Sequence, residues 1–444
     1  MASRPSTARA LMLQCRPRPR LSRPAINFIR MSPAARAASS LGSSPARPAG
    51  RQLGLLGYNL ESRRQSSTTR AAQTALDPKF VYNVAASYIS KGIPFDPSKH
   101  VFHFNLYNRV HPPKPGREKS ARPESGQDAF FVSRVGSNPS EVALGVADGV
   151  GGWMDSGVDP ADFSHAFCDY MATAAYECRP AEEGSAKPAL SARQLMKKGY
   201  DAVCHDPAIK AGGSTAIVGL LNDKGMLEVA NLGDSGYILL RLNGVHASSE
   251  PQTHAFNTPF QLSVVPPSML LRAAAFGGAR LMDQPRDAEV TRHNLRHGDV
   301  LIFASDGLWD NLFTQDVLRI VSSTMANTGA WTTTDAGVQV ALDLSPYTRL
   351  DTVKVPSMDT SASEKNGASK VGTQQRPIAT LQSLLAMEIV GAAKAASLNS
   401  KLDGPFAKEV KKYYPYEVWR GGKEDDICAV VVLVSEEVPP KAKL

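Results

Sequence analysis

Several of the most apolar segments of the chain are short, and each is bounded by an aspartate. Runs of about four to eight apolar residues between turn-forming residues predict β-strands, because helices need longer periodic segments. These segments, each with its aspartate, are EVALGVAD (141–148), VLIFASD (300–306) and DDICAVVVLV (425–434). The chain is therefore expected to bury these strands while it holds several carboxylates at their ends.

The predicted strands come mostly in hairpins, and the predicted helices come in groups. AFFVSRV (129–135) and EVALGVAD (141–148) flank the turn-forming cluster GSNPS (136–140), and STAIVGLLN (214–222) is followed by MLEVANLG (226–233). Helices are predicted over 77–91, from Pro160, and over 191–204, 314–327 and 381–395. This grouping is typical of the α+β class, and we expect one domain with a β-sandwich flanked by helices.

The positive charge of the chain is concentrated at its N-terminus. The whole sequence carries 50 Lys+Arg and 42 Asp+Glu, a formal charge of +8. Residues 1–76 hold thirteen Arg, no Lys and a single acid, Glu61, which leaves 37 basic and 41 acidic residues for the remainder. A basic chain often binds nucleic acid, but the body here is slightly acidic, so we predict no nucleic-acid partner.

The N-terminal segment has the composition of an organelle address. Arg-rich, Ser-rich, acid-poor segments without a compact apolar core are typical of mitochondrial transit peptides, and a solvated tail or a nucleic-acid-binding arm is the alternative. No apolar run approaches the roughly 18 residues of a membrane span. We predict this division of the chain: a transit peptide at 1–76, an N-terminal helix and linker at 77–124, the main domain at 125–436 with a disordered insertion at 351–377, and a tail at 437–444.

The first predicted hairpin brings two carboxylates together. If its turn centres on Asn138, Asp128 and Asp148 lie opposite one another, since each is ten residues away. The Cβ atoms of such cross-strand neighbours are about 5 Å apart. Two unpaired carboxylates at that distance repel each other unless a cation lies between them.

Three further aspartates occupy equivalent places. Asp234 follows the predicted strand 226–233, Asp306 follows 300–305, and Asp425 precedes 427–434. Each alone could be a turn residue that caps local amides. Together they predict an oxygen-only ligand set, which favours Mg²⁺ or Mn²⁺ over zinc. A two-metal site of this kind most often catalyses hydrolytic displacement at phosphorus.

Six motifs resemble those of one enzyme family and occur in the same order. They are SGQDAFF (125–131), GVADGVGGW (145–153), GGSTAIV (212–218), NLGDSGY (231–237), FASDGLWDNL (303–312) and EDDICAVVV (424–432). In this respect the chain resembles the type 2C (PPM-type) metal-dependent serine/threonine protein phosphatases. The Trp after DGVGG and the Arg-rich leader look like the mitochondrial branch of that family.

The resemblance implies a central antiparallel β-sandwich with helices on both faces. It also implies two Mg²⁺ or Mn²⁺ ions, a weaker third ion, and a metal-activated water that attacks phosphoserine or phosphothreonine. The implied ligands are Asp148 on both ions, the Gly149 carbonyl on one, Asp128 acting through water, Asp306 and Asp425 on the other ion, and Asp234 with Asp306 on the third. Of these, the implied catalytic residues are Asp128, Asp148, Asp306 and Asp425.

The sequence departs from the family pattern at several positions. Val150 stands where many members have a histidine general acid, whose help is worth roughly 10²–10⁴-fold. Gln127 stands where an acid is common, and Asp426 where Asn is common. Arg122 is the nearest candidate for the phosphate-binding arginine that many relatives carry upstream of the first aspartate.

Two other functions are compatible with parts of the sequence. GDSGY (233–237) resembles a protease nucleophile loop, but Ser235 would need a positioned His and Asp. A catalytically silent, metal-binding scaffold for phosphoproteins would explain the missing histidine, whereas retention of the core aspartates favours an active enzyme. We therefore expect a phosphatase that acts as a monomer on phosphorylated proteins of the mitochondrial matrix.

Overall fold

A computed structural model describes most of the chain beyond its N-terminal segment. The described residues are 79–105, 119, 122–179, 190–276, 283–349 and 379–437. All of them lie in the unit Gln73–Leu444. Three predicted segments lie outside them: the leader at 1–76, the insertion at 351–377 and all but the first residue of the tail at 437–444.

Seventeen strands and eight α-helices are present in this described part of the chain. In chain order the strands are β1 (Phe80–Ile89), β2 (Val101–His103), β3 (Asp128–Val135), β4 (Asn138–Asp148), β5 (Gly212–Ser214), β6 (Ala216–Leu221), β7 (Met226–Leu232), β8 (Gly236–Arg241), β9 (Gly244–Ser248), β10 (Thr253–Ala255), β11 (Thr258–Pro259), β12 (Leu262–Val264), β13 (Glu289–Asn294), β14 (Val300–Ala304), β15 (Trp331–Thr334), β16 (Gly337–Val340) and β17 (Ile427–Glu436). The helices are α1 (Pro160–Tyr176), α2 (Ala192–His205), α3 (Pro267–Phe276), α4 (Asp306–Trp309), α5 (Thr314–Asn327), α6 (Ser345–Thr348), α7 (Leu381–Ser397) and α8 (Pro405–Tyr413).

Two antiparallel sheets contain most of the strands. One sheet has the order β2-β1-β17-β14-β8-β9, and the other has the order β13-β7-β6-β4-β3. The remaining strands form the two-stranded ribbons β10-β11, β12-β5 and β15-β16. The hairpins predicted from the sequence, β3-β4 and β6-β7, are confirmed as neighbours in the second sheet.

The inner faces of the two sheets share one apolar cluster. Phe130 and Val132 of β3 meet Phe303 of β14 and Val430 of β17 in this cluster, and all four are at most 1% exposed. Alternate residues of the same strands point outward, since side chains of a strand alternate between its faces. Both faces of these strands are covered, which explains why their sequences are continuously apolar.

Helices cover the outer face of each sheet. Phe163 and Phe167 of α1 pack with Phe131 of β3, in a cluster that α2 completes. On the other side, Leu385 of α7 packs with Val431 of β17 in a cluster that includes residues of α5. The predicted α+β sandwich with helices on both faces is confirmed. No described helix is long and apolar enough to cross a membrane.

The prediction of a helix over 77–91 is wrong. Phe80–Ile89 is β1, and all ten of its residues pair with β17. Val84 belongs to the inner cluster, whereas Ile89 belongs to the outer one. A strand covered on both faces lacks the polar–apolar alternation that distinguishes it from a helix. The sandwich therefore begins by Phe80, inside the segment predicted to be a helix and linker.

The turn of the first hairpin differs from the prediction, but the register of its aspartates does not. Val135 pairs with Asn138, so the tight turn lies before Asn138 rather than on it. A register shift between Arg134 and Val135 then restores the pairing. Asp128 and Asp148 are paired residues, as the sequence predicts.

The importance of β1 can be tested with two isoleucines. Ile89 is 0% exposed in the outer cluster, whereas Ile93, just beyond the strand, is 36% exposed. Ile89→Ala should lower the free energy of unfolding by about 2–5 kcal/mol, because it leaves a cavity. Ile93→Ala should change it by no more than about 0.5 kcal/mol. Urea denaturation followed by circular dichroism measures both; equal midpoints would contradict a structural role for β1.

Candidate metal centre

Five of the predicted aspartates lie at the ends of strands from both sheets. Asp128 begins β3 and Asp148 ends β4, both in the five-stranded sheet. Asp234 lies between β7 and β8, Asp306 follows β14 as the first residue of α4, and Asp425 precedes β17 by two residues. Each strand is fixed by pairing along its length, so the backbone positions of these carboxylates are fixed by the sandwich.

Three of these carboxylates converge closely. One carboxylate oxygen each from Asp148, Asp234 and Asp306 lies within 4.8 Å of the others. The three residues come from three separate segments of the chain, and only the assembled sandwich brings them together. A set of oxygens at this spacing can coordinate one cation in common.

Asp128 is paired with Asp148 across the hairpin and is only 1% exposed. The hydroxyl of Ser305 donates to Asp128 Oδ2 at 2.6 Å and itself accepts the backbone N–H of Cys428 at 3.1 Å. Ser305, which directly precedes Asp306, therefore connects the first aspartate to β17. Burial and the nearby Asp426 raise the pKa of the Asp128 carboxyl well above its usual range.

Crowding shifts the protonation of the converging carboxyls. Burial and the charge of Asp306 raise the pKa of Asp148 well above its usual range, and raise that of Asp234 to about 8. Burial also disfavours ionisation of Asp306, but the ammonium of Lys423 outweighs it and lowers the pKa. The cluster thus carries less negative charge than its composition suggests unless a cation compensates it.

The donor set fits a hard divalent cation. Among the described residues, Asp234 Oδ1 is buried without any hydrogen-bond partner. A buried carboxylate oxygen that lacks a partner is costly, and a cation would satisfy it. The converging side-chain ligands are oxygens only, which suits Mg²⁺ or Mn²⁺ better than zinc.

Gly149 and the hydroxyls behind it hold the end of β4. The N–H of Gly149 donates to Gln127 O at 3.1 Å, while Thr215 N–H donates to Asp148 O at 2.9 Å. Thr215 Oγ1 accepts the Asp148 N–H at 3.2 Å and lies 2.7 Å from Ser235 Oγ.

Ser235 is 1% exposed. Its partner is thus a threonine rather than a histidine, which excludes the protease-like function of GDSG.

Both carboxylate oxygens of Asp426 bind backbone N–H groups. Its carboxylate accepts the N–H groups of Lys91 at 2.6 Å and Gln127 at 2.8 Å, and so ties the end of β1 to the start of β3. Two glycines make room for it. A Cβ on Gly126 would lie 2.1 Å from the Asp426 carboxylate, and one on Gly307 would lie 1.9 Å from its carbonyl oxygen. Both glycines of SGQD and SDG are therefore needed for this close approach.

An open cleft of about 740 Å³ gives access to the cluster. Its walls include Asp148, Asp234, Asp306, Asp425 and Gly149, so it exposes the predicted ligands other than Asp128. Val150 also lines it, and its hydrocarbon side chain takes the place of the histidine common in the family resembled. No histidine lines the cleft among the residues that the structure describes; Lys91 and Lys423 do.

Lys423, which none of the sequence motifs indicates as a site residue, lies among the predicted ligands. Its Nζ lies 2.6 Å from Asp306 Oδ2, 2.7 Å from Asp310 Oδ2 and 3.2 Å from Asp425 Oδ2. Burial and the charge of Asp306 raise the pKa of Asp310 to about 7. In the sequence, the signal for this lysine is its place two positions before the paired aspartates of GGKEDDI (421–427).

The structure places Arg122 in an ion pair outside the cleft lining. Its guanidinium lies 2.6 Å from Asp162 Oδ1 on α1, and Lys119 Nζ binds the same carboxylate at 3.0 Å. This pairing compensates the charge of Arg122 locally. The phosphate-binding role of Arg122 stays a prediction.

A solved structure that matches this chain is that of the photosystem II phosphatase PBCP. The two chains share 21% identity with a TM-score of 0.48, over 79% of this chain and 98% of that one.

Sequence comparisons identify the family. The family model described as "Protein phosphatase 2C" matches residues 115–342. The mitochondrial protein phosphatase 2C homolog 7 of Saccharomyces cerevisiae is 35% identical over 47% of this chain and 60% of its own length. The protein phosphatase PTC7 homolog fig of Drosophila yakuba is 32% identical over 74% of this chain and 80% of its own. The chain belongs to the protein phosphatase 2C family, as a metal-dependent protein serine/threonine phosphatase of the PTC7 type.

Proposed function

We propose that this chain hydrolyses phosphoserine and phosphothreonine in proteins at a centre of two divalent cations, Mg²⁺ or Mn²⁺. The observation that carries the proposal is the approach of Asp148, Asp234 and Asp306 within 4.8 Å at the base of an open cleft. The proposed ligands are Asp148 for both cations, the Gly149 carbonyl for one of them with Asp128 acting through water, Asp306 and Asp425 for the other, and Asp234 with Asp306 for a weaker third.

Bound cations would lower the pKa of a coordinated water and neutralise charge on the phosphoryl oxygens. The chain itself orients the acids that hold them. Ser305 fixes one oxygen of Asp128, and the backbone bonds between Thr215 and β4 fix Asp148. Preorganised ligands of this kind need no rearrangement during the reaction.

The leaving alkoxide needs a proton, which we assign to solvent. Val150 cannot donate one, and the cleft is open to water. Lys423 is a poor donor, because the surrounding aspartates, Asp306 first, outweigh its burial and raise the pKa of its ammonium well above the usual value. With valine instead of histidine at position 150, protonation of the leaving alkoxide is slower, but solvent still supplies the proton.

The proposed substrates are phosphoproteins of the mitochondrial matrix, and the proposed active form is a monomer. The support for the compartment is the Arg-rich composition of residues 1–76 and the word "mitochondrial" in the name of the yeast relative. The silent-scaffold alternative is not favoured, since Asp128, Asp148, Asp306 and Asp425 are all retained beside the cleft.

Loss of a proposed ligand should remove activity. Asp148→Ala and Asp306→Ala should each lower kcat/KM towards a phosphoserine peptide more than about 100-fold, because even outer-shell changes at metal sites cost about 10–100-fold. EDTA should abolish activity, and Mn²⁺ should restore it. Asp201→Ala, on the exposed face of α2, is the control and should retain activity. A folded protein that is inactive with every divalent metal would favour the scaffold.

Metal should also stabilise the fold. A ligand that binds only the native state at 100 times its Kd adds about 2.7 kcal/mol. Mn²⁺ should therefore raise Tm by several degrees, and Asp148→Ala should reduce the rise. Differential scanning fluorimetry with and without EDTA measures both effects. A wild-type Tm that does not respond to Mn²⁺ or Mg²⁺ would count against the centre.

Without metal, Asp234 should make the fold less stable as pH rises. Its pKa is raised from 3.8 to about 8, so the native state holds a proton that the unfolded state releases. Its contribution is intact below about pH 4 and is lost as pH rises to about 8. In EDTA, the stability of Asp234→Asn relative to wild type should therefore increase over this interval, by at most about 1.4 kcal/mol per pH unit.

The same pair of proteins in saturating Mn²⁺ is the control for this pH dependence. Bound cations favour the ionised carboxylate, so the relative gain of Asp234→Asn should disappear there. Chemical denaturation at a series of pH values gives the comparison. A difference between the two proteins that is independent of pH in EDTA would contradict the raised pKa.

A further inference from the structure

Lys423 inserts a positive charge among the acids of the proposed metal centre. Its Nζ lies within 2.7 Å of carboxylate oxygens of both Asp306 and Asp310, and 3.2 Å from Asp425. The side chain is only 14% exposed. An ammonium has three N–H donors, and three carboxylates surround it here.

The backbone around Lys423 is held so that its side chain points into the centre. Asn311 Oδ1 accepts the Lys423 N–H at 2.9 Å, and Asn311 Nδ2 donates to the Lys423 carbonyl at 2.8 Å. The same Nδ2 donates to Gly307 O at 2.8 Å. Asn311 is itself 4% exposed. One buried amide therefore fixes Lys423 to the turn that carries Asp306 and Asp310.

The ammonium contacts one carboxylate oxygen on each of two proposed metal ligands. Asp306 and Asp425 are the proposed ligands of one cation, and both have an oxygen within 3.2 Å of Lys423 Nζ. A divalent cation bound to those oxygens would lie a few ångströms from the ammonium. Like charges at that distance repel each other. The Lys423 side chain is only 14% exposed, which limits the screening of this repulsion by water.

We infer that Lys423 is an internal counter-ion that competes with the divalent cation at the Asp306–Asp425 side of the centre. This inference rests on the metal centre proposed above. In the metal-free protein the ammonium compensates the crowded carboxylates. Metal binding must displace it, so the lysine lowers metal affinity and makes occupancy sensitive to metal concentration.

A lysine that only stabilises the fold would have a different effect on metal binding. A merely structural ion pair positions Asp306 and Asp425, and its loss would weaken metal binding. A competitor blocks the same oxygens, so its loss would strengthen metal binding. The direction of the change in Mn²⁺ affinity therefore separates the two roles.

The test compares the full chain with Lys423→Met, which keeps the length of the side chain and removes its charge. Isothermal titration calorimetry with Mn²⁺ should show affinity increased about tenfold or more, since interactions between charges this close exceed the tenfold scale. Lys423→Arg keeps the charge and should remain near wild type. Lys119→Met is the matched control, because Lys119 pairs with Asp159 and Asp162 instead.

Thermal unfolding gives a second readout. In EDTA, Lys423→Met should melt below wild type, because three carboxylates lose their counter-ion. In saturating Mn²⁺ it should melt at or above wild type, since metal then supplies the charge. Lys423→Gln, which keeps a hydrogen-bond donor, replaces Lys423→Met if that variant does not fold.

Several results would overturn the inference. Mn²⁺ affinity that is unchanged or lower in the charge-removing variants, while wild type binds Mn²⁺, shows that Lys423 does not compete. If no charge-removing variant folds even with Mn²⁺, the ammonium is a structural requirement and not a displaceable counter-ion. If wild type itself binds no divalent metal, the metal centre fails first, and that outcome is visible in the wild-type titration alone.

Discussion

Repulsion among carboxylates at one end of the sandwich is the constraint on which the whole site depends. Asp148, Asp234 and Asp306 each place an oxygen within 4.8 Å of the others, and a buried charge that is not compensated tends to take up a proton instead. The raised pKa values of Asp148 and Asp234 are the expected result of that crowding. A bound cation would remove this repulsion without protonating the carboxylates, so the geometry of the cluster is suited to metal binding.

The sandwich supplies the rigidity that keeps such a cluster from spreading apart. The strands that carry the acids are covered on both faces, so a shift of register would move apolar side chains out of the core. Hydrogen bonds from Ser305 to Asp128 and from the backbone of Lys91 and Gln127 to Asp426 connect the two sheets at this end. Gly126 and Gly307 allow the close approach of Asp426, so the role of these two glycines is structural.

The sequence was sufficient to predict the sandwich and its aspartates, but not β1 or Lys423. Patterns of apolar strands and turns located β3, β4, β14 and β17, because in these segments local sequence and tertiary burial agree. In β1 they disagree: the local sequence predicts a helix, whereas the pairing of ten residues with β17 makes the segment a strand. The pairing of Asp128 with Asp148 was correct although the turn was misplaced, because a bulge compensated for it. Lys423 depends on contacts with Asn311 and Asp310, more than a hundred residues away, which no local pattern reveals.

The net charge of the chain is informative only when its distribution along the sequence is known. The net +8 comes from an Arg-rich segment at 1–76, while the remainder has a small acidic excess. Within that remainder the cleft gathers carboxylates around the largely buried ammonium of Lys423. Protons, Lys423 and divalent cations are therefore three ways to compensate the same oxygens. Bound divalent cations would supply the positive charge that attracts a phosphate dianion into an acidic cleft. On the proposed mechanism, the site therefore binds substrate when divalent cations compensate its oxygens. It does not bind substrate when protons or Lys423 compensate them.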